Sequence, residues 1–157
     1  AHVAASPSRP PAPPTVGTGS DMAGSSNSSL FRRLVRQFSR TGRVVQVPYW
    51  LPGGAPRATM LLGNGDVFFH RTTSAGAARS FDDASVDAVY IDADHKWWSV
   101  VQDIAAWWPK VRPGGVLAGH DFSWMFPTVA MAVYKAAFRS KEGVIHLAPD
   151  GMWWMWS

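Results

Sequence analysis

The sequence predicts an α/β domain whose mostly parallel sheet is flanked by helices and closed by an antiparallel hairpin. Two short apolar runs, Ala88–Ile91 and Val116–Ala118, lack polar alternation, which is typical of strands buried on both faces. A helical apolar pattern over His95–Val111 separates them, so the three segments form a βαβ unit with parallel strands. Val144–Leu147 and Met152–Trp156 flank a Pro-Asp-Gly turn and predict the hairpin.

The composition fits a single domain. The chain has 157 residues, of which 46% are hydrophobic, and this is enough to build one core. It contains no cysteine, which excludes disulfides and thiolate metal sites. No apolar stretch approaches the ~20 residues that a membrane-spanning helix needs, so no membrane span is predicted.

The positive charge is concentrated on the N-terminal side. The whole chain has a net charge of +4, whereas residues 1–45 contain six arginines and one aspartate and carry +5. The remaining residues are slightly acidic. Because a nucleic-acid interface needs a basic patch on the folded domain, we predict no nucleic-acid partner, and a nucleic-acid-binding module is the least favoured function.

The first 64 residues divide into a tail, a helix and a loop region. Residues Ala1–Ser29 are mostly Ala, Ser, Pro and Gly and predict a disordered tail, either a plain linker or an organellar transit peptide, so the compartment stays open. The domain then runs over 30–157. Leu30–Arg43 predict an amphipathic helix with an arginine face, packed on the sheet or bound to a membrane surface. Val44–Val47 fit a short strand, and prolines from Pro48 onward predict a loop.

Two further segments precede the βαβ unit. Met60–Asp66 resemble a strand entering a glycine-rich nucleotide loop, but Val67–His70 fit another strand, so a tight turn is the preferred interpretation. Thr72, Thr73 and Ser74 can cap a helix over Ala75–Phe81.

Polar side chains follow both strands of the βαβ unit. Asp92, Asp94 and His95 come directly after the first strand, and His120 and Asp121 come directly after the second. A right-handed crossover brings the carboxyl ends of both strands to one edge of the sheet, where open α/β sheets bind ligands. The sequence therefore predicts one site built from both groups.

The same stretch carries a family resemblance. The segments FDDASVDAVYIDADH, QDIAAWWPKVRPGG and VLAGHDF follow one another in this order, and they closely resemble small class I S-adenosylmethionine-dependent methyltransferases. The similarity runs from about Asp66 to Ser157. It implies a Rossmann-like fold, with S-adenosylmethionine lying across the strand ends and a methyl group passing to a hydroxyl of a small-molecule acceptor.

The resemblance also implies roles for individual residues. Ser74 matches a position that contacts the adenine of the donor, and Asp92, Asp94 and His95 border the cofactor. The related metal-dependent enzymes hold Mg²⁺ at the ends of these two strands. The matching positions form a candidate metal set of Asp92, His120 and Asp121.

Each candidate residue also has a structural interpretation. His95 suits a general base, because its reference pKa is ~6.5, but it could instead cap the following helix. Asp92 can orient the donor or acceptor, ligate a hard cation, or cap the same helix. Asp121 has similar alternatives. A mixed His/Asp ligand set would also admit Mn²⁺, Zn²⁺ or Fe²⁺.

The region before Asp66 departs from the family pattern. The first strand, its glycine-rich loop and the acidic residue that holds the ribose are not recognisable there, so we predict a domain truncated on its N-terminal side. This chain alone is expected to bind the donor weakly or not at all and not to turn over; a non-catalytic remnant is the alternative function. Missing strands would expose Val67–His70 or Ala88–Asp92 as a sheet edge open to self-association.

Overall fold

The structure, a computed structural model, describes residues 43–47, 58–63, 66–140 and 143–157, and over 58–71 it describes the backbone. One sheet contains seven strands, in chain order β1 (Arg43–Val47), β2 (Ala58–Gly63), β3 (Asp66–Arg71), β4 (Val86–Ile91), β5 (Val111–Gly119), β6 (His146–Leu147) and β7 (Trp153–Trp156). The described helices are α1 (Ser74–Ala78), α2 (Trp97–Trp107) and α3 (Pro127–Arg139), with a short 3₁₀ turn at Trp108–Lys110.

The predicted βαβ unit is confirmed. Strands β4 and β5 are parallel, with Ala88 opposite Val116 and Ile91 opposite Gly119. The second strand is longer than the predicted apolar run, because the Pro-Gly-Gly sequence before Val116 lies inside β5. The register against β4 shifts there, and Gly114 adopts a φ of +72°, as in a bulge.

The chain upstream of β3 completes more of the sheet than the sequence predicts. The strands lie in the order β3-β2-β1-β4-β5-β7-β6, and β1 runs parallel to β4 along its whole length. Of the two edges that the sequence offered, Ala88–Asp92 is therefore wrong, whereas β3, which contains Val67–His70, is the edge strand on this side among the described residues. The loop predicted from Pro48 onward falls largely on residues 48–57, which lie outside the described ranges, and Ala58–Gly63 forms β2.

Strand β2 connects to its neighbours as hairpins. It is antiparallel to both β1 and β3, and Gly63 lies opposite Asp66, so the chain reverses between them as the tight-turn interpretation requires. Asn64 and Gly65 themselves lie outside the described residues, as do the predicted tail and the predicted helix up to residue 42. Arg43, the last residue of that predicted helix, begins β1 instead.

The three helices pack on one face of the sheet. Their buried side chains form a single cluster with Val45, Val89 and Leu117, residues that alternate along the strands with those of the other face. The opposite face holds a second buried cluster that includes Val44, Tyr90 and Trp154. None of the described helices is long and apolar enough to cross a membrane.

Helix boundaries follow local hydrogen bonds. Thr73 caps α1, as its Oγ1 accepts a hydrogen bond from Gly76 N at 3.0 Å, but the helix ends at Ala78 and does not reach Phe81. Helix α2 begins at Trp97 and not at His95. The reason is that Asp94 Oδ1 accepts from Lys96 N at 3.3 Å, and the backbone in between is held in a turn.

The closing hairpin is shorter than predicted on one side. Strand β7 is antiparallel to β5, which confirms the reversed strand, and it pairs with β6 over His146 and Leu147. The turn that joins them has Gly151 at a φ of +85°, a conformation that favours glycine. The hairpin places Trp153 beside the end of β5.

Candidate active site

The point where the sheet changes direction marks the site. The order of strands reverses between β1 and β4, and such switch points are where open α/β sheets bind ligands outside the carboxyl ends of their strands. The two strand ends are tied together, since Asp92 N donates to Val47 O at 2.9 Å. Asp92 therefore sits directly at the switch point.

His95 and Asp121 form the closest side-chain pair at this edge. His95 Nε2 lies 2.7 Å from Asp121 Oδ2, and both side chains are about three-quarters buried or more. Asp121 Oδ1 lies 3.1 Å from His120 Nδ1. One carboxylate thus bridges two imidazoles, one from the β4 end and one from the β5 end. The one-site prediction is met for these three residues.

The backbone that presents Asp121 is unusual. Asp121 has a φ of +63°, in the left-handed region, where aspartate is tolerated better than most residues. The next residues fix this conformation: Phe122 N donates to Gly151 O at 2.9 Å, and Ser123 N donates to Asp121 O at 2.9 Å. Backbone conformations of this kind cluster at functional sites.

Trp153 supports the same turn from β7. Its Nε1 donates to His120 O at 3.2 Å. Its ring also lies against Gly119, where an added Cβ would come within 2.6 Å of the ring and 2.5 Å of Ile91 O. The absence of a side chain at Gly119 is therefore what lets the tryptophan reach the strand end.

Asp92 is half-buried beside the pair. The pKa of Asp92 lies above the usual 3.8, mainly because burial disfavours the charged carboxylate. The Asp121 carboxylate also raises this pKa, whereas His120 and His95 lower it. Two carboxylates at close quarters create a negative field. A cationic group is the natural complement of this field.

Asp94 serves the start of α2. Its Oδ2 accepts from Ser99 Oγ at 2.8 Å, in addition to the bond from Lys96 N. The N-cap of α2 is Lys96, which makes no side-chain cap hydrogen bond, and Asp94 supplies these side-chain contacts at the helix start. A cofactor contact by Asp94 remains a prediction, and it would share oxygens that already hold this helix.

Ser74 lies apart from the cluster. It is 2% exposed, and its Oγ accepts a hydrogen bond from Trp107 Nε1 at 2.9 Å. The hydroxyl thus joins α1 to α2 inside the core. An adenine contact by Ser74 stays a prediction.

One group of side chains could hold a metal ion. Ligand atoms of Asp92, His95 and Asp121 all lie within 4.8 Å of one another. The sequence predicted His120 as the histidine ligand beside the two aspartates, whereas in the structure this histidine is His95. The free space between these side chains is about 10 Å³, which suits a single water or ion and not an organic cofactor.

Two contacts of His95 could not be found from the sequence. Its ring lies 4.3 Å from the ring of Phe126, measured between centroids, and its carbonyl oxygen accepts from Thr128 Oγ1 at 2.6 Å. Phe126 and Thr128 lie at the start of α3. No local pattern signals them, because the contact depends on how α3 packs against the loop after β4.

A comparison with known proteins identifies the family of the domain. A family model described as a methyltransferase domain matches residues 23–122, more than half of the chain. No curated protein matches the chain. The family match contains every predicted site residue, and it begins well before Asp66, so the region upstream, where the sequence had suggested no family pattern, lies within it. The chain belongs to the methyltransferase domain family.

Proposed function

We propose that this site transfers a methyl group from S-adenosylmethionine to a hydroxyl of a small molecule, with His95 as the general base. The observation that carries the proposal is the 2.7 Å contact between His95 Nε2 and Asp121 Oδ2, next to Asp92 at the switch point. A histidine held by a carboxylate is the arrangement that proton removal from a hydroxyl needs.

The contact between His95 and Asp121 determines which ring nitrogen of His95 would act as the base in this proposal. An ionised carboxylate can only accept hydrogen bonds, so Nε2 of a neutral His95 carries the proton and Nδ1 is the atom that accepts one. Asp121 then has two effects: it fixes this tautomer, and it stabilises the positive charge that the ring gains. His120 holds the second oxygen of Asp121 and so keeps the carboxylate in place.

Asp92 fits the donor side. S-adenosylmethionine supplies an electrophilic methyl group on a positively charged sulfur, and displacement at that methyl requires alignment with the acceptor. The half-buried Asp92 carboxylate, whose pKa is raised by burial, gains from a nearby cation. The donor itself cannot occupy the small space between the site side chains, so it would lie along the edge toward β1. Residues 48–57, which follow β1, lie outside the described ranges.

A metal-assisted form of the same reaction is the second candidate. The ligand atoms of Asp92, His95 and Asp121 provide two oxygens and one nitrogen within 4.8 Å, which fits a divalent cation. Such an ion would supply Lewis acidity toward the acceptor oxygen. Mg²⁺ prefers oxygen ligands, whereas the imidazole nitrogen suits Mn²⁺, Zn²⁺ or Fe²⁺ better. In this form His95 would be a ligand and not the base.

Titration calorimetry with the metal chlorides separates the two forms. Saturable binding that Asp92→Asn abolishes and His146→Gln preserves would favour the metal form. His146 is a suitable control because it stacks on Trp154 in the hairpin, away from this cluster. Absence of binding by any of these ions would leave His95 as the base.

The donor assignment is tested by titrating the chain with S-adenosylmethionine and recording backbone amide NMR shifts. We expect saturable shifts at Asp92, Ala93 and His95, with weaker binding in Asp92→Asn. The half-domain remnant without donor binding is the competing interpretation. No shift at millimolar donor would support that interpretation and contradict the proposed function.

A further inference from the structure

The first turn of α3 contacts His95 at two places. Thr128 Oγ1 donates to the carbonyl oxygen of His95 at 2.6 Å, and the ring of Phe126 lies 4.3 Å from the imidazole with an angle of 35° between the planes. Together with Asp121, these contacts fix the backbone, the ring face and one ring nitrogen of the same residue. His95 is thereby held from three sides.

The Thr128 hydroxyl bonds to a loop and not to its own helix. Threonine near a helix start commonly bonds to its own helix, and α3 has no side-chain cap at Phe126. The hydroxyl instead crosses 33 residues of sequence to the loop after β4. The Asp94–Lys96 turn already encloses His95, and the Thr128 hydrogen bond ties this turn to α3.

We propose that Phe126 and Thr128 are positioning residues that hold His95 with its Nε2 on Asp121. Thr128 sets the height of the His95 backbone above the sheet edge, and Phe126 sets the plane of the ring. The contribution of this arrangement to catalysis rests on the proposed function, whereas the positioning itself is a property of the fold. In reactions of this kind, misplacing a catalytic group by about 1 Å costs up to about 10²-fold in rate.

The test uses a nearly isosteric pair of variants of the full chain. Thr128→Val removes the hydroxyl, and Thr128→Ser keeps it. The primary measurement is the NMR signal of the His95 Nε2 proton, which is protected from exchange while it is bonded to Asp121. We expect it in the wild type and Thr128→Ser, and we expect it to be broadened or lost in Thr128→Val, with the ring signals of His146 unchanged as an internal control.

The Phe126 contact has its own variant. Phe126→Leu keeps an apolar side chain but removes the flat ring, and we expect a changed chemical shift of the His95 ring protons. This variant also carries the test if Thr128→Val does not fold. Unchanged His95 signals in every folded variant would overturn the proposal.

Turnover provides a second readout where an acceptor supports it. We expect Thr128→Val to lower kcat about 10-fold to 10²-fold with little change in KM, and Thr128→Ser to restore it. If the wild type shows the protected Nε2 signal but binds no donor, the proposed function fails while the positioning stands. Equal kcat in Thr128→Val and Thr128→Ser would contradict a positioning role.

Discussion

The sheet has two halves that are built by different connections. In the half formed by β1, β2 and β3, consecutive strands are antiparallel hairpin neighbours, and only ten residues, 48–57, separate β1 from β2. In the other half, β4 and β5 are parallel and α2 crosses between them. Parallel strands need a connection of about a dozen residues or more, whereas antiparallel strands do not. Short links therefore produce hairpins in the first half.

The two halves of the sheet contribute different groups to the candidate site. The strand order β3-β2-β1-β4-β5 creates a switch point between the two halves, to which β1 contributes the carbonyl of Val47. Among the described residues, the side chains of the candidate site all follow β4 or β5: Asp92, His95, His120 and Asp121. The described part of the hairpin half contributes backbone to this edge through Val47.

The largest expected effect is on donor affinity. The described residues offer partners for the sulfonium region but none for the carboxylate or ribose of S-adenosylmethionine. Each missing charge-assisted hydrogen bond costs about 1.5–3 kcal/mol, so two or three losses lower affinity by several orders of magnitude. We expect isothermal titration to give weak but saturable binding, with a dissociation constant near millimolar. A micromolar constant would mean that residues outside the described ranges complete the pocket.

The next effect concerns the crossover half alone. In a form of the protein that transfers methyl groups, His95→Ala should lower turnover by about 10²–10⁴-fold, because a positioned base is removed. Asp92→Ala should also lower it. His146→Ala, in the hairpin, is the control and should leave turnover within about twofold of the wild type. Unchanged turnover in His95→Ala would return that residue to a structural role.

A smaller effect is expected on stability at the end of β5. Gly119→Ala places a methyl group within 2.6 Å of both Ile91 O and the Trp153 ring, and the backbone oxygen cannot rotate away. Overpacking of this kind typically costs about 1–3 kcal/mol, which should lower Tm by several degrees. Thermal unfolding followed by circular dichroism measures it. A Tm equal to that of the wild type would mean that β4, β5 and β7 can separate slightly at their ends near Gly119.

The smallest expected effect is a gain in stability. The pKa of Asp92 is raised in the folded chain, so its protonated form is favoured there, and its stabilising contribution is fully present only below the unfolded value. That contribution is lost as pH rises through the folded pKa. Asp92→Asn mimics the protonated form and should therefore be more stable than the wild type at pH 7, with the advantage shrinking toward pH 4. Urea unfolding at both pH values checks the sign.

Asp87→Asn is the matched control for that measurement. Asp87 accepts from Arg112 Nε at 2.6 Å and from Arg43 N at 2.7 Å, which joins β4 to its neighbours at the opposite end of the strands. Its neutral variant should lose about 1–3 kcal/mol at pH 7. If both variants change stability in the same direction, burial is not what raises the pKa of Asp92.

The elements of the βαβ half and their order could be predicted, although β5 begins at Val111 and not at Val116. Apolar runs that end at Asp92 and His120 identify strands buried on both faces, and the helical pattern between them requires a parallel crossover. Because parallel strands end at the same edge of a sheet, the polar residues after β4 and after β5 are expected close together, and His95 and Asp121 are among them. The family resemblance was likewise carried by this stretch, and the family match contains it.

The hairpin half could not be predicted in the same way. Its strands are short, and the prolines and glycines between them favour a loop when the pattern is considered locally. What makes β1 a central strand is pairing with β4, whose hydrogen-bonding groups would otherwise lie open at an edge. Pairing between residues more than 40 positions apart leaves no periodic trace in the sequence.

The sequence by itself determined the fold class, the crossover and the residue types at the strand ends, because these depend on hydrophobic pattern and chain direction. The tertiary structure alone decided which of the polar groups became neighbours. Asp94 accepts a hydrogen bond from Ser99 in α2, and Ser74 accepts one from Trp107. His95 contacts Phe126 and Thr128 at the start of α3, more than 30 residues away in the sequence. Side-chain partners at an edge depend on how helices pack across the sheet, and that packing is a property of the whole domain.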